Sequence, residues 1–239
     1  MIWRKINRGS LKLSDTLFMT KDLITKSKVE RPRRRSRIRE AHEAKILSVS
    51  EDIFAQFGYN GTTLDSIAES AGMSKQNMLY YFPSKEVLYL RVLAKILDLW
   101  LEKLVLLDQE GEDPATMLEN YIRGKIELSR LHSSGSKVFA NEIINGAPYL
   151  KSHLQSKLTP ILEADVGLVR SWIADSKMDS VDPYHLFFVI WSSTQTYADF
   201  STQIQVCLKK DQLDNEDFQV ASDFLAQMIL KGIGLRGSL

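Results

Sequence analysis

From residue 36 to residue 231 the apolar residues recur every three or four positions, and no apolar–polar alternation runs long enough to make a strand. That periodicity predicts an all-α chain. Ile38, Ala41, Ala44, Ile46, Leu47, Val49, Ile53, Phe54 and Phe57 mark the buried face of a first helix that stops at Gly58. Thr63 and Ser74 are placed to cap two short helices, residues 64–70 and 75–81, because their side-chain oxygens accept the unpaired amides of a first turn. Ser84 opens a longer helix, residues 85–106, which at 1.5 Å per residue spans roughly 33 Å.

Asp113-Pro114 and Asp182-Pro183 each join a capping carboxylate to a proline at the first helical position, where a missing N–H costs nothing. Between them residues 114–132, 136–145 and 148–175 read as helices, with Ser133-Ser134-Gly135 and Gly146 as breaks. Residues 183–206 and 216–231 follow, the last ended by Gly232. These final two segments are expected to pair with their copies in a homodimer, burying Phe187, Val206, Phe224, Met228 and Ile229. Packing within one chain is the alternative for the same residues.

Hydrophobic residues make up 44% and charged residues 26%, the balance of an ordinary globular protein. The longest apolar runs, such as residues 186–191, fall far short of the roughly 20 residues a bilayer helix needs, so no membrane partner is expected. One cysteine, Cys207, leaves no internal disulfide and fits a reducing, cytoplasmic setting. Charge is unevenly spread. Residues 1–39 hold 13 Lys and Arg against 3 acidic groups, a formal +10, whereas the remainder holds 18 against 27, a formal −9. A basic arm over residues 1–35, expected to be flexible and to meet a polyanion, therefore precedes an acidic body.

Residues 63–81 have the make-up of a helix-turn-helix. Ala68 is small where the second helix must cross the first, Gly72 supplies the turn, and Met78 is the inward anchor, with Ile67, Met73 and Leu79 in support. Ser74, Lys75, Gln76, Asn77 and Tyr80 then lie along the outer face of the second helix, as hydrogen-bonding groups suited to base edges in the major groove. Thr62, Thr63, Tyr81 and Lys85 stand at helix ends, where phosphate contacts are made. An ordinary helical hairpin is the competing reading of this segment.

Gly61-Thr62-Thr63, Ile67-Ala68, Gly72-Met73-Ser74 and the run Tyr80-Tyr81-Phe82-Pro83-Ser84-Lys85-Glu86 resemble the N-terminal domain of the TetR family of bacterial transcriptional regulators. Leu79 departs from the aromatic residue many members carry there. The resemblance implies a three-helix DNA-binding domain over residues 36–84 and a larger helical effector-binding and dimerisation domain over residues 85–239. It also implies binding of double-stranded operator DNA, release by a small molecule, and repression as the commoner outcome. No cofactor is implied.

A narrower resemblance, to the family's uracil- and thymine-responsive members, runs through residues 77–100, Asn145-Gly146-Ala147-Pro148, Asp182-Pro183 and residues 190–200. It implies a pyrimidine base as effector, with Trp100, Glu142, Trp191 and Gln195 as its contacts. Trp191 and Gln195 are four apart and share a helix face, so one offers an apolar wall and the other a donor and an acceptor for the base edge. Without the resemblance the tryptophans are equally well explained as core. A different effector, or an effector-free architectural DNA-binding protein, are the alternatives. An enzyme is not expected: no GxSxG, HExxH, Walker loop or dinucleotide-binding glycine pattern occurs, and His42, His132, His153 and His185 are scattered without metal spacing.

Overall fold

The computed structural model describes residues 34–104 and 113–235, and every regular element among them is helical. In chain order these are α1 (Arg34–Gly61), α2 (Leu64–Ser70), α3 (Lys75–Tyr81), α4 (Lys85–Leu104), α5 (Pro114–Leu131), α6 (Ser133–Ile144), α7 (Lys151–His153), a π-helical turn (Leu154–Leu158), α8 (Thr159–Ala174), α9 (Pro183–Asp199), α10 (Ser201–Leu208) and α11 (Asn215–Gly232). None of them is long and apolar enough to cross a membrane. The chain divides at His42 into two units, the second of which runs from Glu43 onward. The basic arm lies outside the described residues, except that the backbone of Arg34 and Arg35 opens α1.

The caps form where the side-chain chemistry allows them. Thr63 accepts from Ser66 N at 3.1 Å while Ser66 Oγ accepts from Thr63 N, a reciprocal box. Ser74 accepts from Asn77 N, Ser84 from Val87 N, Asp113 from Thr116 N and Asp182 from His185 N. Gly58 ends the regular part of α1 with φ 68° and ψ 176°, a conformation open essentially to glycine alone. A Cβ there would meet no atom within 4 Å, so Gly58→Ala isolates the backbone strain. Chemical denaturation should show a loss of about 1–3 kcal/mol. An unchanged midpoint would mean that the turn relaxes freely.

Three boundaries differ from the sequence expectation. The break sits at His132 (φ −127°, ψ 44°), and α6 runs through Ser133, Ser134 and Gly135. Gly135 is buried because Glu51 and Ile96 approach its Cα closely, leaving room for no side chain. The expected helix over residues 148–175 starts later and contains the π turn, immediately before Pro160; an extra residue per turn accommodates a proline that cannot donate to the preceding turn. The expected helix over residues 183–206 is divided at Phe200, whose φ of −111° and ψ of 26° end α9.

One apolar core runs through the second unit. Ile46 and Phe54 of α1, Ile67 and Ala68 of α2, and Met78 of α3 join Leu88, Val92, Leu93, Ile96 and Leu97 of α4. Further along, α4 packs on α5, α6 and α8, and α5 packs on α9 and α11. Phe187 and Ile229, expected at a dimer interface, are 0% and 6% exposed inside this core. They fall on the inward sides of α9 and α11, where packing within the chain claims them. The outward sides keep Phe224 and Met228, joined by Phe188 and Val220, and Val206 of α10 is exposed as well.

Candidate DNA-binding and effector sites

In α3 one inward residue fixes which face looks out. Met78 is fully buried and Leu79 half-buried, so Ser74, Lys75, Gln76, Asn77 and Tyr80 are all exposed. Gly72 makes the turn between α2 and α3 with φ 67°. Lys75 Nζ reaches back to Asp65 Oδ2 at 2.8 Å, an exposed ion pair of the kind worth only about 0–1 kcal/mol and easily exchanged for another acceptor. The Tyr80 ring stands edge-on to Tyr81, with centroids 5.2 Å apart.

Two residues expected at phosphates are engaged inside the fold. Thr62 is 1% exposed, and its hydroxyl donates to Gly58 O at 2.7 Å. Lys85 donates from Nζ to Tyr59 O at 2.8 Å and Thr62 O at 3.0 Å, with its ammonium 4.3 Å above the Tyr59 ring. The carbonyls at the end of α1 lack intrahelical partners, and a lysine at the start of α4 fills that need. Thr63 remains exposed at its cap and Tyr81 half-buried.

The residues expected to hold an effector gather around one face of α5, with one exception. Tyr121 and Lys125 are four apart there. Trp191 of α9 donates from Nε1 to Tyr121 Oη at 2.6 Å, and Lys125 Nζ lies 3.5 Å from the centroid of the Trp100 ring of α4. Trp100 also stacks on Phe139 of α6 at 5.4 Å and 18°. Gln195 sits one turn beyond Trp191, half-buried, and its amide makes no hydrogen bond among the described residues. Ser129 donates to Thr194 O at 2.9 Å, and Ser136 to Asp199 Oδ1, which fixes α9 against α5 and α6.

Glu142 is the exception. It is 3% exposed; Oε1 accepts from Tyr149 N at 2.6 Å and Leu150 N at 3.0 Å, and Oε2 from Tyr89 Oη at 3.2 Å. This carboxylate holds the 145–150 turn beside the rings of Tyr59, Tyr89 and Tyr149, away from the Tyr121–Trp191 pair, to which it makes no hydrogen bond among the described residues. Sequence reasoning passed over Tyr121, Lys125 and Asp199. Lys125 carried a signal: it interrupts the buried stripe of α5 at four residues from Tyr121 and one from Ile126. No cluster of three or more His, Cys, Asp or Glu placed to hold a metal ion occurs among the described residues.

Residues 46–92 match the family model "Bacterial regulatory proteins, tetR family", and residues 93–236 match "YcdC-like protein, C-terminal region". The chain is 40% identical to the HTH-type transcriptional regulator RutR of Escherichia coli strain K12 over 88% of its own length and 99% of RutR. The chain belongs to the TetR family of bacterial transcriptional regulators. Family members of this kind are ligand-responsive DNA-binding regulators rather than enzymes. The TetR fold is equally evident in solved structures. The ketosteroid transcriptional regulator KstR2 of Mycobacterium tuberculosis is 19% identical, with a TM-score of 0.63 over 80% of this chain and 94% of KstR2. AibR, solved with isovaleryl coenzyme A and operator DNA, is 17% identical, with a TM-score of 0.63 over 78% of this chain and 97% of AibR.

Proposed function

We propose that this TetR-family regulator is a repressor that binds a pseudo-palindromic operator as a homodimer and is released from it by uracil or thymine. Ser74, Lys75, Gln76, Asn77 and Tyr80 read bases in the major groove, Lys75 suiting guanine and the two amides adenine, with Thr63 and Tyr81 beside the backbone. Residues 36–84 serve as the DNA-binding head and residues 85–239 as the effector and dimer body. Such a regulator works in the cytoplasm, where its operator is. The outward apolar residues of α9, α10 and α11 support the dimer, since an isologous pairing would cover them and set two α3 helices about 34 Å apart.

The observation that carries the effector reading is Gln195. A half-buried amide that makes no hydrogen bond among the described residues, one turn from Trp191, matches what a flat base with alternating N–H and C=O groups requires. The 40% identity with RutR and the sequence resemblance to pyrimidine-responsive members support the same choice. Calorimetric titration tests it. Uracil should bind the full chain saturably and cytosine should not, while Gln195→Leu should fold normally and weaken uracil binding about tenfold or more. Intact uracil binding in that variant would remove Gln195 from the site; heat from neither base would leave a TetR-family regulator with another effector.

A further inference from the structure

Lys125 is a charged residue in a place where charge is expensive. It is 3% exposed, in a stripe of α5 otherwise made of Leu118, Tyr121, Ile122 and Ile126. Its ammonium makes no hydrogen bond and no ion pair among the described residues. What it touches is the face of Trp100, 3.5 Å from the ring centroid. A cation on an indole face is stabilised by about 0.5–2 kcal/mol, whereas the penalty for a buried ion is several kcal/mol.

The groups around it do not make up the difference. From α9, Asp199 acts on Lys125, yet it accepts from Ser136 and is itself pushed upward in pKa by burial, and from α8 the buried Asp165 acts on Tyr121. From α6, Lys137 acts on that same carboxylate. On α4, Lys103 lies against Gly124, beside a different face of α5. On α5 itself, Tyr121 is held neutral by burial and is bonded to Trp191. Toward α11, Arg123 pairs with Glu119 and Asp223, so those carboxylates are already taken. Three N–H donors of Lys125 are thus held, without an acceptor among the described residues, one turn from the Tyr121–Trp191 pair.

We propose that Lys125 is the cation that reads the effector: buried against Trp100 and without an acceptor among the described residues, its ammonium takes an exocyclic oxygen of the bound base. The inference rests on the pyrimidine reading and adds to it a residue with a distinct chemical task. Gln195 matches the alternating edge of the base, and Lys125 requires an oxygen. Cytosine, with an amino group in place of one carbonyl, offers such a cation one exocyclic oxygen where uracil offers two.

Burial brings the Lys125 pKa down to about 7, so much of the free protein carries it uncharged above that pH. An oxygen acceptor favours the charged form. Binding therefore takes up a proton, and affinity falls as pH rises from 7 toward 8.5. The buried lysine also costs stability, fully below pH 7 and decreasingly up to the unfolded value of about 10.4.

The experiment is calorimetric titration of uracil into full-length wild type and Lys125→Met at pH 7.0, 7.75 and 8.5, with thermal melting of both. Wild type should bind with proton uptake and weaken with pH. Lys125→Met should bind at least tenfold more weakly with no pH slope, yet melt no lower than wild type at pH 7, the stability difference shrinking toward pH 10. If the methionine variant does not fold, Lys125→Gln gives the same test through its lost pH slope. Equal uracil affinity in wild type and variant would overturn the inference and leave the pyrimidine reading standing. Failure of wild type to bind uracil would remove both.

Discussion

Phe224→Glu should leave the protein folded and monomeric at micromolar concentration, and operator affinity should fall at least 100-fold. Phe224 is 58% exposed and lies between Val220 and Met228 at four-residue spacing on α11, so the fold of one chain does not depend on it. In an isologous dimer every substitution acts twice. Two phenyl groups would forfeit about 1.5–3 kcal/mol each, and two carboxylates would enter an apolar interface. Every 1.4 kcal/mol is a factor of ten in dissociation constant, so the losses exceed two decades. A monomer carries one α3, and the second half-site then no longer binds at the high effective concentration that a tethered partner provides. Light scattering checks the oligomeric state, and fluorescence anisotropy on operator DNA checks affinity. A dimer of normal affinity would show that α9 to α11 do not form the interface.

Glu142→Ala should destabilise the fold by about 3–5 kcal/mol, because it leaves three donors without an acceptor at about 1–3 kcal/mol each. The substitution strands Tyr149 N and Leu150 N together with the Tyr89 hydroxyl. Tyr89 itself has its pKa raised, by burial first and by the Glu142 charge second, so it stays a neutral donor throughout the physiological range. At about 2–4 °C per kcal/mol for a chain of this size, melting should drop by roughly 6–20 °C. Glu142→Gln keeps an acceptor for the two amides and should cost much less. A Glu142→Ala protein that melts normally but fails to bind uracil would reverse the assignment, returning this carboxylate to the effector site.

The head was legible in the sequence because its information is local. Thr63, Ser74 and Ser84 each cap the helix that follows them, Gly58 and Gly72 take up angles other residues resist, and Met78 orients α3 through its single inward contact. Local signals also place Asp113-Pro114 and Asp182-Pro183 at helix starts. Contacts between distant segments were not legible. Nothing in the sequence near Lys85 or Thr62 says that both are consumed at the end of α1, and nothing near Glu142 says that the backbone of residues 149 and 150 claims its oxygens.

The same distinction explains the dimer face. Phe187 and Phe188 are adjacent and equally apolar, but one is fully buried and the other 46% exposed. Only the docking of α9 on α5 decides which of the two faces outward. Trp191 and Gln195 could be paired by their four-residue spacing, whereas their relation to Trp100 needed α5, through Tyr121 and Lys125, to connect them.

Release by a pyrimidine base, as proposed, requires that the base and operator DNA compete through one protein. It is tested most directly by selecting a duplex from random DNA with the purified regulator, and then following its anisotropy as uracil is added. The selected sequence should be a pseudo-palindrome. Uracil should lower operator affinity roughly 5- to 150-fold, corresponding to a coupling of about 1–3 kcal/mol, and cytosine should leave it unchanged. Operator affinity that stays constant through saturating uracil would contradict the account.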